Sequence, residues 1–427
     1  MLLSVLLLMM MVISWTEAVY TGVVMAHTAK DVQGNSFTLV RRYRFGHSSC
    51  GETDSFLSCS GCTQKIDESS GEWCLREYTS WGSRSFISYY YGLNPGTWIN
   101  NKNGISIGLS KMLVEGRKRS DINRPNSSPK TGILPVMRVP SNCQRNISLL
   151  TFDPDGDHVQ CRNGSGSSEC YTCTPPSVLS LSSSCSQSFT PTSSNVEGSY
   201  AVQLIMQDFP RQTITLTHNN GSTESISSKI SMSRIPVQFV FKVDPAAPSC
   251  TAGEYLPRFL PPTPEHGAQF FINISETIEI NITAEATQSV ITELLFSGPF
   301  SMTKSSSGSG NFTLRWTPSV NQSDDKESHP ICFAVQANAS SSIYQSELRC
   351  VIVRVGNIPF IATPSPPTTS RLTVLKLKIS TTLSLKDNKD EIEKAIKDEL
   401  ISRGLPPDIK VRLLSDGSVK VKETAAP

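Results

Sequence analysis

Asp153, Asp155 and Asp157 stand at alternate positions in the segment DPDGD, the nearest this sequence comes to a metal-binding pattern. Clustered carboxylates supply the hard oxygen ligands that Ca²⁺ takes. Asp208 is the best additional carboxylate if such a site exists. An EF-hand is excluded, because Gly156 stands at the wrong place and no Glu closes the loop. The simpler reading is a tight hairpin turn joining the strands ISLLTF and HVQC, since Asp, Pro and Gly are turn formers. No cofactor other than calcium is suggested.

A second candidate is aromatic. Tyr78, Trp81, Tyr89, Tyr90, Tyr91 and Trp98 crowd into 21 residues. Aromatic side chains bury much area at low entropic cost, so such a cluster suits a ligand-binding surface for protein or glycan. It suits a core equally well if alternate residues such as Tyr89 and Tyr91 turn inward. Arg117, Lys118 and Arg119 form a short basic run that reads as an exposed loop; Gly116 stands where a furin-like protease wants Arg. Enzyme chemistry has little support. There are six histidines and no H-E-x-x-H, G-x-S-x-G or phosphate-loop pattern.

The elements that hold these residues belong to an exported β-protein. Residues 1–18 carry an apolar run of signal-peptide length, with small residues Thr16 and Ala18 before a cut after Ala18. No later run is long enough to span a membrane. A formal charge of +2 over 427 residues creates no field for nucleic acid. Twelve cysteines, an even number, predict disulfides in an oxidising compartment. The C-x-x-C pairs Cys59/Cys62 and Cys170/Cys173 are then structural bridges rather than zinc or redox sites. Nine sequons agree with export: Asn126, Asn146, Asn163, Asn220, Asn273, Asn281, Asn311, Asn321 and Asn338.

Turn signals and apolar alternation divide the mature chain. Residues 19–140 read as a Cys-rich irregular β domain stapled between Cys50 and Cys74. Residues 141–245 read as a β-sandwich module, with Tyr200, Val202, Leu204 and Met206 on one strand face and Val237, Phe239, Phe241 and Val243 on another. Residues 246–357 read as a second sandwich anchored by Trp316. Residues 358–370 are a Pro/Thr/Ser linker. Residues 371–424 form a small α+β unit in the order β-α-β-β, whose helix buries Ile392, Ile396 and Leu400.

Cysteine parity adds a constraint. These boundaries leave five cysteines in 141–245 and three in 246–357, so full pairing needs a bridge between them. Cys250, at the junction, is the natural candidate, with its partner in the preceding module. Cys332 and Cys350 then pair with each other.

Residues 246–357, through PPTPEHGAQF, NFTLRWTPS and HPICFAVQA, resemble Ig-like and cadherin-like modules of extracellular adhesion proteins. Residues 136–245, through VMRVPSNC, FDPDGDHVQC and PVQFVFKV, look like a related module. Together they resemble ectodomain proteins of fish and marine invertebrates that combine such modules, and the tail is similar in outline to SEA-type units of mucin-like proteins. The resemblance implies a mainly β fold of tandem Ig-like or cadherin-like sandwiches with a small C-terminal α+β unit. It also implies an adhesive context. The sequence therefore points to a secreted modular glycoprotein, not an enzyme, that binds extracellular protein or glycan. The alternative is a humoral recognition protein that binds foreign glycans.

Overall fold

The computed structural model describes residues 19–50, 63–69, 72–191, 195–319, 326–356, 389–402, 410–413 and 419–422. The chain divides into two compact units, Met1–Phe360 and Ile361–Pro427. The expected signal peptide and Pro/Thr/Ser linker, together with Cys59, Cys62 and Asn321, lie outside the described residues.

The first half of the larger unit is one interleaved β-structure. Strands β1 (Tyr20–Gln33), β2 (Ser36–His47), β3 (Thr63–Ser69) and β4 (Trp73–Ser85) pair antiparallel in the order β1-β2-β4-β3. Next come β5 (Tyr89–Leu93), β6 (Ser110–Val114), β7 (Lys118–Arg119), β8 (Val136–Pro140), β9 (Arg145–Ser148) and β10 (His158–Asn163). They are followed by β11 (Leu179–Leu181), β12 (Ser186–Phe189), β13 (Gly198–Phe209), β14 (Ile214–Thr217), β15 (Thr223–Ile226) and β16 (Arg234–Asp244). The main sheet runs β10-β13-β16-β1-β2-β4-β3. β13 covers one edge of β16. The other edge is shared in turn by β6 at Arg234, β1 at Val237 and β8, in parallel, from Val240 to Asp244.

A strand paired on both edges and covered on both faces needs apolar residues at successive positions. β16 meets that need: Val237, Phe239, Val240, Phe241 and Val243 are all buried. The crossing of β1 and β16 is tight. A Cβ on Gly22, at φ +142°, would lie 2.1 Å from the Gln238 carbonyl oxygen, so only glycine fits there.

This topology corrects two expectations. Strands from 19–140 and 141–245 share one sheet, so a boundary at residue 140 falls inside it. The DPDGD segment does not close a hairpin, because β9 pairs with β12 and β10 pairs with β13.

Residues 246–357 do form a sandwich. Its strands are β17 (Arg258–Leu260), β18 (Gln269–Ile272), β19 (Ile278–Glu285), β20 (Val290–Ser297), β21 (Thr303–Gly308), β22 (Asn311–Trp316), β23 (Ser328–Ala339), β24 (Ser342–Gln345) and β25 (Arg349–Val355). One sheet is β17-β19-β22-β21; the other is β18-β25-β23-β20, with β24 hairpinned onto β23. In immunoglobulin lettering these are A-B-E-D and A′-G-F-C, with A′ parallel to G. The fold is thus mainly β with an Ig-like sandwich. Trp316 is 1 % exposed between the sheets, with Ile280, Leu314, Phe333 and Val351.

Five disulfides join described cysteines: Cys50–Cys74, Cys143–Cys250, Cys161–Cys185, Cys170–Cys173 and Cys332–Cys350. The parity argument is met by Cys143–Cys250, which ties the segment after β8 to the segment before β17. Glu327, 2 % exposed, adds an ionic tie. Its carboxylate pairs with Lys130 at 2.8 Å and Lys30 at 3.1 Å from the first half, and lies 3.6 Å from Arg42.

In the smaller unit, α1 (Lys389–Ser402) buries Ile392 and Ile396. β26 (Lys410–Leu413) pairs antiparallel with β27 (Val419–Lys422). The expected strand before α1 and the side chain of Leu400 lie outside the described residues.

Candidate functional site

Alternation decides where the aromatic residues go. Tyr43 pairs with Tyr78 across β2 and β4, and Val40 with Trp81. Residues 78 and 81 differ by an odd number, so they lie on opposite faces. On one face Tyr43 stacks between Tyr78 and Tyr91, with centroids 5.5 Å from each. The Arg41 guanidinium lies 4.5 Å from the Tyr91 ring. Tyr78, Tyr89 and Tyr91 are half-buried against the core. Trp98 is buried, edge-on to Tyr20 at 4.7 Å. These four pack inward, the placement that the core reading gave for alternate residues such as Tyr89 and Tyr91, and the binding-surface reading does not hold for them.

Trp81 and Tyr90 remain outside, 61 % and 49 % exposed. They do not share a patch. Tyr90 points away from β5 on the side opposite Tyr91, with Lys111 over its ring at 4.9 Å. Trp81 shares the other face of the sheet with Val40, which is buried, and Arg42. Its indole is a large exposed ring on β4, where the backbone pairs with Val40 of β2; among the described residues the pairing of β4 with β3 runs only from Trp73 to Tyr78.

The carboxylates gather at a different place. Asp153 begins the 153–157 turn, and its Oδ1 accepts the N–H groups of Asp155 and Asp157 at 2.8 and 3.2 Å. Asp157 and Asp208, on β13, approach it. Each of the three presents an oxygen within 4.8 Å of the others. Asp155 does not join them, contrary to the sequence reading. Arg124 donates to its Oδ1 at 2.6 Å and the Ser127 N–H to its Oδ2 at 2.6 Å. Burial, reinforced by Asp208, Asp155 and Asp157, pushes the Asp153 carboxyl well up. Burial also pushes Asp208 up to about 7, although Asn126 and Ser233 donate to it.

Sequence reasoning missed the partners of this cluster. Arg119 is not an exposed loop charge. It is 1 % exposed in β7, donating to both oxygens of Asp157 and, at 3.0 and 2.7 Å, to those of Asp121. Asn126 is fully buried: its Nδ2 donates to Asp208 at 2.6 Å and to Ser233 Oγ at 2.8 Å, and its Oδ1 accepts from Arg119. The next two residues serve the sheet. The hydroxyls of Ser127 and Ser128 accept the N–H groups of Ala29 and His27 on the β1 edge. The Asn-Ser-Ser sequence is thus explained by structure, and an Asn126 bearing a glycan could not occupy this position. Asn146, Asn220, Asn273, Asn281, Asn311 and Asn338 are exposed and Asn163 is half-buried. Peptide mapping after enzymatic deglycosylation should therefore find Asn126 unmodified; a glycan there would contradict the buried amide.

No family model matches the chain. A 111-residue stretch is 30 % identical to integrin beta-like protein A of Dictyostelium discoideum, covering 26 % of this chain and 5 % of that protein. The chain thus spans about one-twentieth of that relative's length. Among solved structures, the sialic acid binding region of a Streptococcus sanguinis SK1 adhesin aligns over 69 % of this chain and 92 % of its own, at 13 % identity and TM-score 0.19. The N-terminal Ig1-2 module of the Drosophila receptor protein tyrosine phosphatase DLAR aligns over 53 % and 98 %, at 9 % identity and TM-score 0.20. Scores this low carry no argument about this chain. No helix among the described residues is long and apolar enough to cross a membrane.

Proposed function

We propose that this chain is a secreted, non-catalytic glycoprotein that binds an extracellular protein or glycan in adhesion or in a matrix, with Trp81 at the centre of the contact. The observation that carries the reading is the exposure of Trp81 on β4, where its backbone is paired with β2. A large apolar ring costs free energy in water, and a preorganised one loses little entropy when a ligand covers it. Its flat face suits a sugar ring or an apolar side chain. The five disulfides support an oxidising, extracellular setting. The short likeness to an integrin beta-like protein agrees with adhesion. The exposed sequons would carry the glycans.

A glycan array and a panel of cell-surface ectodomains test this. Trp81→Ala should weaken the ligand found at least thirty-fold, roughly 2 kcal/mol, as hot-spot residues do. Its unfolding free energy should stay within about 0.5 kcal/mol of the wild type, because the ring is mostly solvated. Binding confined to microbial sugars would shift the reading to humoral recognition. Undiminished binding by Trp81→Ala would remove Trp81 from the site.

A further inference from the structure

We propose that Asp153, Asp157 and Asp208 bind one divalent cation of the size and hardness of calcium. Distance is the first support. Two oxygens on one Ca²⁺, at roughly 2.3–2.6 Å each, can be no more than about 5 Å apart. The three carboxylates satisfy that limit pairwise, with oxygens within 4.8 Å of one another.

The second support is a single atom. Asp153 Oδ2 is sealed from solvent and has no hydrogen-bond partner, while Oδ1 takes both turn N–H groups. Asp208, Asp155 and Asp157 all act against a negative charge on it. A buried carboxyl oxygen with no donor, among other carboxyls, leaves a place that a proton or a bound cation can fill.

The nearby cations are already engaged elsewhere. Arg119 spans Asp157 and Asp121, Arg124 pairs with Asp155, and Arg211 donates to the Gly156 carbonyl oxygen. None of these hydrogen bonds reaches Asp153. Arg119 leaves lone pairs free on Asp157, since each carboxylate oxygen has two. Asp153 is half-buried, whereas Asp157 and Asp208 are buried, so an ion would enter beside Asp153. Calcium fits better than magnesium because it accepts irregular shells of six to eight oxygens, with water completing what the protein does not supply. The bound ion would tie the 153–157 turn to β13.

The sequence motif and this site make different demands, and the difference gives the test. The purified full chain is stripped with EGTA, then titrated with CaCl₂ by calorimetry and melted in CaCl₂ or EGTA. The wild type should bind one Ca²⁺ saturably and melt several degrees higher with it, by mass action. Magnesium should give a much smaller rise. Asp208→Asn and Asp153→Asn should each abolish both signals. Asp155→Asn should keep the calcium response, even if its baseline stability falls with the loss of the Arg124 pair. Asp153→Asn in EGTA should melt no lower than the wild type, because it removes a buried repulsion. A wild type that neither binds nor responds to Ca²⁺ would overturn the proposal, and that measurement needs no variant to fold. So would a calcium response that survives both Asp208→Asn and Asp153→Asn, or one lost only in Asp155→Asn.

Discussion

Glu327→Gln should lower the unfolding free energy by about 3–5 kcal/mol, the loss expected when one partner of a buried ion pair is removed. The substitution keeps the shape and deletes the charge that faces Lys130, Lys30 and Arg42. Lys130 is the residue most affected. It is 5 % exposed, its amine reaches Glu327 at 2.8 Å, and burial already works against its charge. The pH dependence has a definite sign. Burial opposes ionisation of Glu327, but Lys130, Arg42 and Lys30 outweigh it and hold the carboxyl below the usual range. A depressed folded-state value means the stabilisation is fully present above the unfolded value, about 4.3, and is lost as pH falls through the folded one. Urea midpoints of the wild type and the variant should therefore stay a constant distance apart at neutral pH and converge below about pH 4. Equal midpoints at neutral pH would show that Glu327 does not stabilise the junction.

Removing the Cys143–Cys250 bridge by paired alanine substitutions should cost about 2–5 kcal/mol. The bridge spans 107 residues, and in the chain-entropy account a long loop restrains the unfolded ensemble most. Denaturation without reductant measures the loss, and peptide mapping without reduction checks the pairing. The ionic contacts at Glu327 and the pair of Lys304 with Asp67, at 2.7 Å, would still join the two halves of the unit. A destabilised but folded variant is therefore expected. An unchanged midpoint would mean that those contacts already hold the junction in the denaturing range.

Counting made part of this legible in the sequence. Odd numbers of cysteines on either side of residue 245 demanded a crossing bridge, and Cys250 stood where one could form. The sandwich of 246–357 was legible because its strands are local and their alternation survives. The boundary at residue 140 failed for the opposite reason. β1 meets β16 through a register that no local pattern encodes, and β16 is apolar on both faces, which hides which neighbours it takes. The carboxylate site was half legible. Acidic spacing marked Asp153 and Asp157, and Asp208 stood out as an added carboxylate. Asp155 was misassigned because its fate depends on Arg124, and nothing in the sequence links the two. Arg119 and Asn126 carried signals of a basic loop and a glycan acceptor, and burial overrode both.

The position of β1 has a consequence for the order of synthesis. It is the first described strand to leave the ribosome, yet its partner position Val237 follows Val24 by 213 residues (237 − 24). Until β16 arrives, β1, β2, β4 and β3 can form a local meander, but the β1 edge lacks the strand that belongs there, even after Ser127 and Ser128, whose hydroxyls cap Ala29 and His27, have emerged. Such distant pairing slows folding, because loop closure must come before the contacts that reward it. An open edge in the meantime invites pairing with another nascent chain. The nascent chain therefore has to be kept apart from its neighbours until Asp244 has emerged, well before the Ig-like sandwich is complete.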